Sequence, residues 1–307
     1  MKKFVTNIIG FITLYILIST NIHCSKNLLA EIPTYIEIQE FNYIDHHEET
    51  MPYASNYHST KITDAWVTMD DQFLGVFEIP CKIPIHLSHN MQSSSHSFDI
   101  YPGIKVNGIA ASRAKYPFYK KFKLDTILAR DSTLLLIPFT EYLDNAIDKL
   151  KGAGSFELDS NTILSAQNNS QINCTNLSSN SATPIIQTNV VFQGTSSLAI
   201  HLNDEQSYFH AITETMDLDG TTFLELNFKT STTLNIGIII VNSITEQKEE
   251  LIRLHATEHW KKTYLDLTPL INEGNSDSSF KIYFEACNSN NTTQSIYIDN
   301  LKLMSSS

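Results

Sequence analysis

Apolar and polar residues alternate with a period of two along most of this chain, which is the spacing of a β-strand with one buried and one solvated face. In FLELNFK, residues 223–229, leucine and phenylalanine alternate with glutamate, asparagine and lysine. Glycine, asparagine, serine and proline interrupt such runs at short intervals. The pattern predicts an all-β protein made of many short strands.

The stretch AWVTMDDQFLGVFEIP has the pattern of a β-hairpin. One strand runs through Met69, a turn follows at Asp70 and Asp71, and a second strand returns through Phe77. Together with the alternating runs around it, this hairpin predicts a small antiparallel β-sandwich over residues 34–150.

The main exception to the period of two is EYLDNAIDKLKGAG, residues 141–154. Its apolar residues recur at three- and four-residue intervals from Tyr142 to Leu150, and glycines follow that would end a helix. We therefore expect a helix at the boundary between two domains. Beyond it, residues 152–304 contain short apolar runs broken by glycine, asparagine and serine, which predict a jelly-roll β-sandwich.

The N-terminal residues have the pattern of a secretory signal peptide. Lys2 and Lys3 precede an apolar run from Ile8 to Ile18, which has the length of a signal-peptide core. A membrane-spanning helix would need about 17 to 25 apolar residues. The pattern predicts that residues 1–23 are removed.

Cys24 lies where bacterial lipoprotein signals, which this segment resembles, place their acylated cysteine. The resemblance implies fatty acyl chains, such as palmitate, on Cys24, a short polar tether over residues 24–33, and attachment to the outer membrane. Ordinary signal cleavage and an uncleaved anchor are the alternatives.

The chain is acidic, with 33 Asp and Glu against 21 Lys and Arg and a formal net charge of −12. An acidic surface repels phosphate backbones, so we expect no nucleic-acid partner.

The cysteines that follow Cys24 are not spaced as a metal site or a redox motif, because no CxxC pair occurs. Cys174 and Cys287 could pair if they meet in one domain, which would leave Cys81 as a free thiol. The alternative, three unpaired small hydrophobic residues, is the simpler expectation.

The first domain resembles known surface domains. WVTMDDQFLG, residues 66–75, resembles the hairpin of PEGA-type and immunoglobulin-like surface domains. The stretch from this hairpin to NGIAASRAKYPFYKKF, residues 107–122, is similar to uncharacterised outer-membrane lipoproteins of Bacteroidota. These resemblances imply an immunoglobulin-like sandwich and an envelope location, and they imply no activity.

The second domain resembles galactose-binding-like carbohydrate-binding modules. The matching positions, in chain order, are Phe156-Glu157, Gly194 with Ser197-Leu198, Trp260 with Asp266-Leu267, and Ile298–Leu303. The resemblance implies a non-catalytic jelly roll that presents a face to glycans. It also implies a structural Ca²⁺ where the first strand meets the last, with Glu157 and Asp299 as ligands. The alternative is that both carboxylates face water on edge strands.

Aromatic residues of the second domain are candidates for sugar stacking. Tyr264, Tyr283 and Tyr297 fall at outward positions of their predicted strands, and aromatic faces pack on the C–H faces of sugars. Trp260 begins a strand with inward leucines, so we expect it in the core.

A basic aromatic strip stands out against the acidic chain; it comprises Arg113, Lys115, Tyr116, Phe118 and Tyr119. It could contact anionic lipid, polysaccharide or a protein. The alternative is an edge strand protected by its proline and lysines.

No catalytic signature is present in the sequence. HATEH, residues 255–259, fits the H-x-x-E-H pattern of zinc peptidases, but its flanks have strand spacing, so we expect a solvated turn. Nucleophile-elbow, P-loop and Rossmann patterns do not occur. The sequence therefore favours a non-catalytic protein that binds glycan or protein, and the alternative is a structural accessory subunit of an envelope secretion or assembly complex.

Overall fold

The computed structural model describes residues 33–44, 59–87, 94–157, 163–168, 172, 174, 178, 180–288 and 292–306. In this part of the chain almost every regular element is a strand, so the predicted all-β class is confirmed. No helix among the described residues has the length and apolar character needed to cross a membrane.

The first unit is a β-sandwich. Three strands, β1 (Thr34–Ile38), β5 (Cys81–Ile85) and β9 (Thr133–Leu136), form a sheet in the order β5-β1-β9. The facing sheet is made of β3 (Asp64–Met69), β4 (Gln72–Glu78), β6 (Ser95–Lys105), β7 (Arg113–Lys115) and β8 (Phe122–Ile127). Its order is β4-β3-β6-β7, and β8 also pairs with β6. A short parallel pair joins β2 (Asn42–Tyr43) to β10 (Phe139–Thr140). Isoleucines of β1 and β5 share a core with apolar residues of β3 and β6.

The predicted hairpin of the first unit is confirmed. Strands β3 and β4 pair from Asp64↔Glu78 to Met69↔Gln72. Asp70 and Asp71 both have positive φ, 49° and 63°, as a two-residue turn that matches the strand twist requires.

The second unit is a sandwich of two sheets, as the sequence predicts. The sheet that contacts the first unit, here called the proximal sheet, is made of β11 (Ala146–Asp148), β13 (Ile185–Gln187), β14 (Ser197–Leu202), β16 (Thr222–Thr230), β19 (Thr257–Asp266) and β21 (Gln294–Ser306). Its order is β13-β14-β21-β16-β19, with β11 also on β21. The distal sheet is made of β12 (Ser165–Ala166), β15 (Tyr208–Ile212), β17 (Leu234–Val241), β18 (Glu246–Leu254) and β20 (Ser279–Cys287), in the order β12-β15-β20-β17-β18. A single helical turn, α1 (Thr268–Ile271), follows β19.

The helix predicted within residues 141–154 is wrong. This stretch contains β11 and a 3₁₀ turn at Ala153–Ser155. Strand β11 pairs with the end of β21, and the Asp148 carboxylate accepts backbone hydrogen bonds from Gly152 and Leu303, both at about 3 Å. Pairing with a distant strand therefore overrides the local helical spacing, and the chain has joined the second sandwich before residue 150.

Cys174 and Cys287 form a disulfide, and Cys81 is a half-buried free thiol. The expectation of three unpaired cysteines is wrong, because residue 174 lies beside the end of β20 although 113 positions separate the two cysteines.

The two units share a buried aromatic interface. Tyr116, Phe118 and Tyr119 of the first unit pack on Phe223 and Tyr264 of the proximal sheet. The three first-unit rings are at most 4% exposed. The three aromatic residues of the basic aromatic strip are therefore internal and have no free surface for lipid or polysaccharide.

The two basic residues of the strip are engaged within the first unit. Arg113 pairs with the buried Asp64 at 2.8 Å and with Glu78 at 2.7 Å. Lys115 lies 3.7 Å from the ring centroid of Tyr101. Strand β7, which carries both cations, is at the edge of its sheet, as the alternative interpretation expects.

A buried ionic group lies at the centre of the interface. The carboxylate of Glu225 accepts hydrogen bonds from the hydroxyls of Tyr116 (2.5 Å) and Tyr142 (2.8 Å) and pairs with Lys262 at 2.6 Å. Burial acts to raise the pKa of Glu225, but the positive charges of Lys262 and Lys302 outweigh it and hold the pKa below its usual value. The interface therefore contains a buried carboxylate that accepts hydrogen bonds from tyrosines of the first unit and is neutralised by a lysine of the second.

Candidate functional site

Two of the three tyrosines proposed for stacking have no free ring face. Tyr264 and Tyr283 do point away from the sandwich core, but they are 2% and 1% exposed. The first unit covers Tyr264, whose hydroxyl accepts a hydrogen bond from the Lys61 backbone at 2.9 Å. Tyr283 lies on the distal sheet over Gly237, and the Lys248 ammonium lies 4.5 Å from its ring centroid.

The surroundings of Tyr283 are ionic. His210 lies 2.8 Å from Glu285, and Lys248 also contacts this carboxylate. Burial acts to raise the pKa of Glu285, but hydrogen bonds from His210 and Lys248 outweigh it and lower the pKa. The polar groups around Tyr283 therefore satisfy one another and shield its ring.

Tyr297, the third candidate, belongs to a group of fully or partly exposed rings on the free half of the proximal sheet. Its centroid lies 6.4 Å from Trp260 and 6.1 Å from His201, and Trp260 lies 5.8 Å from Phe192. Phe192 is 40% exposed, and Trp260 and Tyr297 are half-buried. We call Phe192, His201, Trp260 and Tyr297 the aromatic platform.

The expectation that Trp260 is a core residue is wrong. Alternate residues of β19, from Trp260 through Lys262 to Tyr264, point away from the sandwich core. Lys262 and Tyr264 are buried, because the first unit covers them, whereas Trp260 lies beyond that cover. The same face of one strand is thus interface at one end and open surface at the other.

A cleft of about 380 Å³ adjoins the platform. It is lined by Lys229, Thr230, Ser231, Ala256, Thr257, Glu258, Ser295 and Tyr297. Thr230 and Thr257 donate their hydroxyls to nearby backbone carbonyls. Among the residues that the structure describes, Lys229 and Glu258 have neither an ion pair nor a hydrogen-bond partner for their charged groups. The cleft thus has one aromatic side chain, Tyr297, and two charged side chains without partners in its lining.

The loop that carries Phe192 is held by two carboxylates. Asp299 accepts backbone hydrogen bonds from Phe192 (3.0 Å) and Gln193 (3.1 Å). Glu157 accepts them from Thr195 (2.9 Å) and from the next residue (3.1 Å). These contacts hold the backbone at Phe192, whose ring lies next to that of Trp260.

Gly194 is required at the centre of this loop. Its φ is +75°, and an added Cβ would lie 2.2 Å from the nearer carboxylate oxygen of Glu157. A larger residue would therefore displace the carboxylate from the loop, and glycine alone satisfies both the conformation and the contact.

The structure brings Glu157 and Asp299, the two residues proposed to bind calcium, to one loop. Burial raises the pKa of Asp299 to about 6, and the charge of Glu157 adds to this shift while three backbone donors oppose it. The expectation that both face water on edge strands is wrong for Asp299, which is fully buried on the central strand β21. No cation pairs with either carboxylate in the described part of the chain.

The HATEH segment is the predicted turn only at His255 and Ala256, because its last three residues already belong to β19. Strand β18 ends at Leu254 and β19 begins at Thr257, so the segment has no helix to place His255 and His259 on one face. The described residues include no cluster of three or more His, Cys, Asp or Glu side chains able to hold a metal ion.

Solved structures with similar folds include carbohydrate-binding modules. A carbohydrate-binding module of the β-sandwich superfamily, solved to explain its promiscuous specificity, matches at 13% identity and a TM-score of 0.38, over 81% of this chain and 87% of that one. A xylan-binding domain of family 22 matches at 15% identity and a TM-score of 0.35, over 50% and 92% of the two chains.

A family 30 module of a cellulosomal cellulase from Clostridium thermocellum matches at 15% identity and a TM-score of 0.35, over 47% of this chain and 92% of that one. No family model matches the chain, and no curated protein matches its sequence. Similarity this low does not indicate a ligand.

Proposed function

We propose that this protein is a non-catalytic binding protein of the cell envelope and that its aromatic platform binds glycan. The observation that carries the proposal is the group of contacting, partly exposed rings around Trp260 and Tyr297, next to a cleft with unpaired charged groups. Apolar side chains that form a contiguous surface patch often mark a contact site, whereas single exposed ones do not.

The chemistry of the platform suits a sugar. Aromatic rings offer flat apolar faces to the C–H groups of a pyranose, while Lys229 and Glu258 offer a donor and an acceptor to its hydroxyls. The loop held by Asp299 and Glu157 fixes Phe192 before a ligand arrives. A surface that is already ordered loses little conformational entropy on binding.

Replacement of Trp260 by alanine is the direct test of the platform. We expect at least about tenfold weaker retention on whichever polysaccharide of a panel holds the wild-type chain, because a large stacking surface is lost. Affinity electrophoresis of the full chain measures this.

The matched control for that test is Trp66→Ala, which removes the chain's other tryptophan, on the first unit. It should leave retention unchanged. Equal loss in both variants, or no retention of the wild type on any polysaccharide, would exclude the platform as a glycan site.

We also propose that Glu157 and Asp299 hold a structural calcium ion, because neighbouring carboxylates without a cation are costly. Backbone carbonyls would supply further ligands, since calcium takes six to eight oxygens. Calcium there would neutralise both charges and fix the Phe192 loop more firmly.

Millimolar calcium should raise the melting temperature of the full chain, through preferential binding to the folded state. Asp299→Asn should abolish the shift, whereas Asp125→Asn, an exposed carboxyl on β8 of the first unit, should retain it. A melting curve that calcium leaves unchanged rejects the metal site.

The proposed location is the outer membrane, through acylation of Cys24, which lies outside the described residues. Metabolic labelling with an alkyne fatty acid should tag the wild-type chain and not Cys24→Ser. Equal labelling of both chains, or of neither, contradicts acylation at this cysteine.

A second role, docking as an accessory subunit of an envelope complex, is favoured by the tip of the β3–β4 hairpin. Phe73 and Leu74 are 56% and 38% exposed there, and such apolar tips are found at protein contacts. Co-purification from detergent-solubilised envelope that Phe73→Ser abolishes would support this role. Co-purification of nothing with the wild type excludes it.

A further inference from the structure

The first unit exposes a row of apolar side chains along one extended segment. Residues 133–140, TLLLIPFT, are exposed and buried alternately. The outward side chains Leu135, Ile137 and Phe139 are 57%, 52% and 47% exposed. A half-buried strand normally carries polar residues on its wet face, so this face lacks the composition of a surface adapted to water.

This exposed row, Leu135, Ile137 and Phe139, begins beside the strand at which the N-terminal segment enters the fold. Strand β1 pairs in parallel with β9, with Tyr35 opposite Thr133. Its first residue, Thr34, lies ten positions after Cys24. A chain of that length reaches at most about 36 Å even when fully extended.

The face around β1 combines Tyr35, Lys82 and Leu135 with one acidic residue, Glu37, which lies between Lys82 and Leu135. Tyr35 points outward on the same face of the sheet, and the Lys82 ammonium lies 4.6 Å from its ring centroid. An aromatic ring with a lysine beside aliphatic side chains suits the boundary between headgroups and acyl chains.

We propose that the exposed row rests on the phospholipid surface to which Cys24 anchors the protein. This inference uses the acylation proposed above. A short tether keeps the row within a few tens of ångströms of lipid, so its contact with lipid is effectively intramolecular. Because the effective concentration of lipid is then high, the row is bound to the membrane most of the time even if its intrinsic affinity for lipid is weak. The row would then orient the first unit on the membrane, beyond what the acyl chains alone achieve.

The first test needs no acylation. Protein without the predicted signal peptide, residues 24–307 with Cys24→Ser, is mixed with phosphatidylcholine vesicles and sedimented, so that the apolar run Ile8–Ile18 cannot itself bind lipid. We expect weak but measurable partition, and we expect Leu135→Ser, Ile137→Ser and Phe139→Ser together to reduce the partition coefficient at least about tenfold.

The matched control is Ile244→Ser, which removes a side chain 93% exposed on the second unit. It should not change the partition. Because all four side chains are exposed, circular dichroism should show every variant folded. Partition that is absent, or that the triple variant leaves unchanged, overturns the proposal whether or not Cys24 is acylated.

The second test uses the acylated chain on vesicles. A spin label at Ile137→Cys, in a Cys81→Ser background, should be more accessible to oxygen than to a water-soluble nickel complex. A label at Ile244→Cys should show the reverse. If both labels are equally accessible to nickel, the row does not contact lipid.

A label at position 137 that is immobilised to the same extent without vesicles would instead identify a protein partner or a second copy, and would overturn the lipid contact. Failure of acylation is seen separately, as loss of fatty-acid labelling with the first test unaffected.

Discussion

Replacement of Glu225 by alanine is expected to lower the free energy of unfolding by about 3 to 5 kcal/mol. The carboxylate is fully buried between the two units and balances the charges of Lys262 and Lys302. Without it, the buried Lys262 ammonium would lose the partner 2.6 Å away. The hydroxyl of Tyr116 would also lose its acceptor. Urea denaturation of the full chain measures the change.

Glu250→Ala is the control for this prediction. Glu250 pairs with Arg253 at 2.7 Å, but both side chains are exposed on β18. Solvent screening makes such a pair worth under about 1 kcal/mol. If the two variants lose similar free energy of unfolding, the Glu225 carboxylate does not neutralise buried lysine charges at the interface as described.

Gly154→Ala is expected to destabilise the protein by about 3 kcal/mol or more, because it overpacks a contact between main chains. An added Cβ would lie 1.9 Å from the carbonyl oxygen of Leu301. That oxygen belongs to the central strand β21 and cannot rotate away, so the chain around residue 154 would have to shift. The midpoint of thermal unfolding should fall clearly.

Gly152→Ala is the control for this prediction, because it replaces a nearby glycine without creating a steric clash. Gly152 has a φ of +77°, and an added Cβ would meet nothing within 4 Å. Its replacement should cost only the strain of a left-handed conformation, about 1 to 2 kcal/mol. An equal or larger loss for Gly152→Ala would contradict the close contact at Gly154.

The strands and turns could be predicted because their signals are local. The period of two in β16 and the Asp70-Asp71 turn depend on residues that are neighbours in the chain. The segment 141–154 shows the limit of this approach. Its spacing favours a helix, but the hydrogen bonds offered by the end of β21 are available only once residues 294–306 have folded beside it.

The candidate site shows the same limit. Tyr264 and Tyr297 have the same outward position in the pattern of their strands, yet the first unit covers Tyr264 while Tyr297 stays partly exposed. Trp260 has a core-like sequence context and lies on the surface. Nothing in the sequence around Phe192 predicted that it belongs to the site. It is a loop residue whose position depends on a hydrogen bond to Asp299, 107 positions away.

The sequence by itself determined the all-β class, the two sandwiches and the outward or inward direction of most side chains, because alternation along a strand is a property of the local backbone. Only the tertiary structure decided which outward faces stay open to a ligand. That depends on where the first unit packs on the proximal sheet, and this packing is fixed by contacts such as Tyr116 with Glu225, whose partners lie 109 positions apart. The exposure of a side chain depends on the assembled fold, so it cannot be predicted from residues that are neighbours in the sequence.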